Sequence, residues 1–173
     1  CSVDPWCCHV EWDRMCLDLA SEICRNRPVN DECGPMLRPY PGAIELTQSI
    51  PFFGNNMPAT SRDDDPGFCC NHADPGSQGE GTVWLKFVAI AETAQIDTCA
   101  SASEGDTLIN VFSVGDPTDG LTSCQTLALV GCGDNGGCPS DESGSQSPHT
   151  RFCVEGLTIG ETYYIELASK MPE

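Results

Sequence analysis

Val83-Trp84-Leu85-Lys86-Phe87-Val88-Ala89 is the stretch on which the fold turns. Val83, Leu85, Phe87 and Ala89 alternate with Trp84, Lys86 and Val88, the two-residue period of a β-strand rather than the 3.6-residue period of a helix. Branched and aromatic side chains of this kind pack well on a pleated surface. Working outward, further strands are predicted at Ala43 to Thr47, Ala94 to Cys99, Thr107 to Val114, Cys124 to Cys132, Thr150 to Val154 and Thr162 to Ala168. Segments rich in Gly, Pro, Asp, Asn and Ser separate them, such as Gly115-Asp116-Pro117 and 133–148. Short strands at this spacing predict a β-sandwich or barrel. The loops 54–81 and 133–149 exceed ordinary connection lengths, so ties by cysteines or by a cation are expected there.

The first part of the chain reads differently. Residues 4–24 predict a helix, with Asp4 as N-cap and Pro5 at the first helical position. Cys8, Trp12, Cys16, Leu19 and Ile23 fall on one face of it. Arg25 to Pro28 ends it, because proline and the residue before it resist helical geometry. The organisation expected is a Cys-rich helical segment at 1–29 and a β-sandwich domain at 30–173.

Thirteen cysteines in 173 residues is a heavy load. No CxxC pair suggests zinc, and the adjacent pairs Cys7-Cys8 and Cys69-Cys70 cannot easily bond internally or aim two ligands at one ion. Each is expected to reach a different partner, in a disulfide framework formed in an oxidising compartment. The candidates are Cys7, Cys8, Cys16, Cys24, Cys33, Cys69, Cys70, Cys99, Cys124, Cys132, Cys138 and Cys153. Thirteen is odd, so one thiol is unpaired or bonded outside the chain, and Cys1 is the candidate. Lipidation of Cys1 is the alternative to its simply belonging to the cysteine pattern that follows it.

The 26 acidic and 8 basic residues give a net charge of −18. Such a surface repels nucleic acid and anionic membranes. No apolar run approaches the length of a membrane span. For nucleophilic catalysis there is little to assemble: His9, His72 and His149 lie far apart and no GxSxG elbow occurs. Acids in polar loops are usually solvated surface rather than a tuned acid/base pair. The expectation is a secreted protein, extracellular or at the cell surface, that is not an enzyme.

Hard oxygen ligands are abundant. Asp106 precedes a strong strand, and Asp134 and Asn135 open a Gly-rich loop with free carbonyls, a donor set suited to Ca²⁺. Asp63-Asp64-Asp65 is a second candidate. The plainer reading is that Asp, Asn and Gly make turns. Trp84 and Tyr164 fall opposite the Val83 and Phe87 side, so one sheet face is either an aromatic platform or covered by another part of the molecule.

Two segments together carry a resemblance. Cys1-x5-Cys7-Cys8-x3-Trp12-Asp13-x2-Cys16-x7-Cys24, with Asp4-Pro5-Trp6 inside it, resembles a Cys-rich helical motif of large secreted bacterial proteins, and Asn30-Asp31-Glu32-Cys33 resembles the opening of the sandwich domain that follows it. Val83 to Phe87, Asp97-Thr98-Cys99, Asp106 to Phe112, Gly133-Asp134-Asn135 and Gly160 to Ile165 resemble, in order, the strand and loop blocks of the pre-peptidase C-terminal-like family. The resemblance implies a mainly β, jelly-roll-like β-sandwich that is a non-catalytic attachment in secreted hydrolases and surface proteins, some of which bind Ca²⁺ or polysaccharide. Against that pattern both ends read as cut short, the last strand included. That leaves a fragment of a larger protein, or a neighbouring subunit that supplies what is missing.

The function expected is therefore a structural or assembly module of the cell surface or of an extracellular filament. Its partners would be copies of itself or neighbouring domains of a larger protein. The alternative is a carbohydrate-binding accessory module of a secreted hydrolase.

Overall fold

The computed structural model describes residues 28, 30–31, 42–54, 56, 59–61, 65–69, 76, 78–99, 106–114, 127–134, 136–138 and 148–170. The expected helix at 4–24 lies outside them, as do Cys1, Cys7, Cys8, Cys16, Cys24, Cys33, Cys70 and Cys124.

The described part is mainly β, with seven strands: β1 (Ile44–Glu45), β2 (Glu80–Val88), β3 (Thr93–Asp97), β4 (Thr107–Ser113), β5 (Ala128–Asp134), β6 (Arg151–Glu155) and β7 (Thr162–Ser169). Every predicted strand is present. The largest shift is at β5, which begins at Ala128 and runs on to Asp134 where the sequence pattern placed it at Cys124 to Cys132.

Five strands form one sheet in the order β1-β2-β7-β4-β5, and β3 and β6 form a second. Only β1 runs parallel to its neighbour; the other pairs are antiparallel. The register places Leu85 opposite Ile165 and Ile165 opposite Val111, so one face of the larger sheet is a continuous apolar layer. Leu85, Phe87, Ile109, Val111, Tyr163 and Ile165 are buried there against Val154 and Leu157, with Ala94, Ile96 and Phe152 of the smaller sheet packed alongside. Phe87 and Tyr163 stack across β2 and β7 with ring centroids 5.7 Å apart.

The two sheets approach closely because β5 carries glycine on this face. A Cβ at Gly133 would lie 2.6 Å from Thr150 Cγ2 and 2.7 Å from Phe152 Cδ1. At Gly131 the nearest atom would be Val154 Cγ2 at 3.4 Å, an ordinary contact. Below this point three threonines clasp the sheets together. Thr150 Oγ1 donates to the Thr107 carbonyl at 2.6 Å, and the Thr98 and Thr107 hydroxyls lie 2.7 Å apart.

The opposite face of the larger sheet is covered as well, by segments that include residues 30–31, 56, 59–61 and 65–68. Asn30, in a turn, is bonded to β2 at a single residue. Its carbonyl accepts the Trp84 N–H at 2.7 Å, and its side-chain amide donates to the Trp84 carbonyl at 3.0 Å. Asp31 Oδ2 accepts the Thr60 hydroxyl at 2.9 Å, which pins the 59–61 segment over β2. Phe68 packs on Leu108 and Ala168, all three of them buried.

Candidate functional site

The unusual chemistry lies on this covered outer face. Register sets Trp84, Glu166 and Asn110 side by side across β2, β7 and β4. All three are fully buried. Asn110 Nδ2 donates to Glu166 Oε2 at 2.8 Å and approaches the Gly67 carbonyl at 3.3 Å, so the amide joins the sheet to the segment above it. Glu166 Oε1 and Trp84 Nε1 have no hydrogen-bond partner among the described residues.

Removal from water raises the Glu166 carboxyl from an ordinary 4.5 to about 8, against the opposing pull of the Asn110 hydrogen bond and with a smaller push from the charge of Asp65. Burial disfavours the carboxylate because the interior solvates charge poorly. Glu166 is therefore a neutral acid at neutral pH. Beside it, Trp84 and Phe112 pack with ring centroids 5.9 Å apart. Trp84 is 0% exposed, so of the two alternatives for this face, aromatic platform or covered surface, the second holds at Trp84.

At the end of the same face lies a second group. Lys170 follows β7, Asp106 precedes β4 and Asp134 closes β5. The Lys170 N–H donates to the Asp106 carbonyl at 3.0 Å, which continues the β4–β7 ladder by one residue. Lys170 Nζ then lies 3.6 Å from Asp106 Oδ2 and 3.7 Å from Asp134 Oδ2. The Asp134 side chain is 0% exposed, against 24% for Asp106. Two of the three residues expected to hold Ca²⁺ are thus brought together, and the positive charge they meet is Lys170. Asn135, the third, lies outside the described residues, as do Asp63 and Asp64; Asp65 is buried. Among the described residues no group of three or more His, Cys, Asp or Glu could hold a metal ion.

Among the described residues two bridges tie loops to the sheets. Cys69–Cys132 anchors the outer covering segment to β5, and Cys99–Cys138 joins the end of β3 to the loop after β5. Cys153 departs from the expected framework, because it is a free thiol and exposed. Val154 points into the core, so strand alternation turns Cys153 outward, opposite Gln95 rather than another cysteine. The bridges mark an oxidising setting.

An open groove of about 540 Å³ is lined by Asn56, Ala59, Ser61, Gly79, Glu80, Gly81 and Ser169. Asn56 Nδ2 spans it, donating to the Gly81 carbonyl at 3.1 Å and the Ser169 hydroxyl at 3.2 Å. Of the serines that line it, Ser61 donates to the Gly79 carbonyl and Ser169 accepts from Asn56. Among the described residues no helix is long and apolar enough to cross a membrane.

Sequence reasoning reached Asp106 and Asp134 but missed Lys170, Asn110 and Glu166. Only the register of three strands brings the first of these to its partners. Glu166 lies in Thr162-Tyr163-Tyr164-Ile165-Glu166-Leu167-Ala168, where alternation reads as a polar, solvent-facing position. No family model, curated protein or solved structure matches this chain.

Proposed function

We propose that this chain is a non-catalytic structural module of an extracellular or cell-surface assembly, built as a jelly-roll-like β-sandwich. The observation that supports it most is the bracing of the sandwich by Cys69–Cys132 and Cys99–Cys138, which fasten loops at the C-terminal ends of β5 and β3. Bridges of this kind stabilise by restricting the unfolded chain, most of all where they close long loops. The high acidic excess keeps such a module soluble among its neighbours. The polar groups of the outer face serve the same end, since Asn110 and Asn30 fasten loop to sheet.

The test is the size of the native protein in solution and on gels, with and without reductant, beside a pull-down on insoluble polysaccharides. Assemblies larger than one chain with no polysaccharide retained are the expected result. A monomer under every condition overturns the assembly role, and retention on one polysaccharide replaces it with the carbohydrate-binding reading.

A further inference from the structure

We propose that Lys170 and Asp134 form an intramolecular amide cross-link, with Asp106 carrying the protons. Three features of the site lead there. The amine and two carboxylates meet at 3.6 and 3.7 Å, each group arriving from a different strand of the sheet. The Asp134 side chain is 0% exposed and neither of its oxygens accepts a hydrogen bond among the described residues. Its cross-strand partner is Leu108, which packs with Phe68 and Ala168 in an apolar cluster. The Lys170 side chain is 19% exposed and that of Asp134 0%, so it is the carboxylate that gives up its water in the pair, a cost that weighs against the mutual attraction. Condensation to a neutral amide removes both charges at once.

The step balances without an outside reagent. The Asp106 carboxylate takes a proton from the Lys170 ammonium and passes it to Asp134, leaving a neutral amine beside a neutral carboxyl. The nitrogen lone pair attacks Cγ of Asp134 and the new C–N bond forms. Asp106 accepts the surplus amine proton and returns it to the departing hydroxyl as the C–O bond breaks. Water leaves, and Asp106 ends as the carboxylate it began as. Asp134 is the electrophile because it is the shielded carboxyl. Asp106 is the carrier because it is part-exposed. Holding the reacting groups together replaces the encounter that makes this condensation slow in solution, and shielding from water opposes the reverse reaction. The bond would join β5 to β7 over the intervening β4. It asks nothing of where the protein works, so it stands or falls apart from the structural role above.

The experiment is the intact mass of the full chain, reduced and unfolded, followed by fragmentation of its proteolytic peptides. The mass expected is that of the sequence less one water, with a branched peptide joining Lys170 to Asp134 and no cleavage by trypsin after Lys170. Lys170→Arg and Asp134→Ala should each restore the full mass, whether or not they fold well. Asp106→Asn should leave most of the chain uncross-linked. A wild-type chain at full mass overturns the proposal. A water loss that persists in Lys170→Arg overturns it too, since the loss would then come from elsewhere. Complete cross-linking in Asp106→Asn removes Asp106 from its role.

Discussion

On the inner face of the five-stranded sheet, Leu85, Phe87, Ile109, Val111 and Ile165 meet the smaller sheet with no polar side chain among them. On the outer face, one residue further along the same strands, Trp84, Asn110 and Glu166 are buried at least as completely and carry an indole, an amide and a carboxyl. The inner face is dry because two sheets of alternating pattern close on each other. The outer face is dry because loops distant in sequence are laid across it and fastened by Asn30, Asn110, Asp31 and Cys69. A sheet covered by a sheet closes chiefly through apolar complementarity, with the Thr98, Thr107 and Thr150 hydroxyls clasping its end, whereas a sheet covered by loops must also answer the loops' backbone polar groups. Asn110 does this by donating to the Gly67 carbonyl, and Glu166 beside it shows the cost of polar burial.

The contrast can be broken from either side. Phe87→Ala on the inner face removes a buried ring from between the sheets, and should destabilise by about 3–5 kcal/mol in a denaturant titration. On the outer face, Asn110→Ala leaves Glu166 Oε2 and the Gly67 carbonyl without their donor, at a cost of about 1–3 kcal/mol. That variant should also speed amide exchange in the 65–68 segment, a readout that Phe87→Ala moves only through global unfolding.

Gly133→Ala sharpens the inner face further. Its methyl would press on Thr150 and Phe152, and overpacking of this sort costs about 1–3 kcal/mol. Gly131→Ala meets only ordinary contacts and should differ from it clearly. The smallest effect is expected from Cys153→Ser, within about 0.5 kcal/mol of wild type, because the thiol is exposed and unbridged.

How much of this was legible follows the same division. The two-residue alternation in Val83 to Ala89 and in Thr107 to Val114 depends only on local chemistry, so the strands and the inner face could be read from the chain itself. Burial of the outer face depends on contacts far apart in sequence, such as Asn110 with Gly67 and Asn30 with Trp84, which leave no periodic trace. Hence nothing in the sequence marks Glu166 as buried, and the covering of Trp84 stands there only as one of two alternatives. Asp106 and Asp134 were recognisable as partners for a cation because one precedes a strong strand and the other opens a Gly-rich loop, while the cation itself depends on strand order. Cysteine count carried no information on facing, which is why Cys153 passed for part of the framework until its alternation with Val154 was set against the register of β6.

The central claim is that loops make the outer face an interior, and Glu166 reports on it directly. A carboxyl held at about 8 when folded and at an ordinary 4.5 when unfolded keeps its proton through folding below the lower value. Its contribution to stability is full there, declines as pH rises between the two, and is gone above the higher one. The deciding measurement is the denaturation free energy of wild type and Glu166→Gln from pH 4 to pH 9, taken as the difference between them so that the many surface acids cancel. The difference should move in favour of Glu166→Gln as pH rises, by on the order of a few kcal/mol across the range. A difference that stays flat with pH would place Glu166 in water and contradict the account.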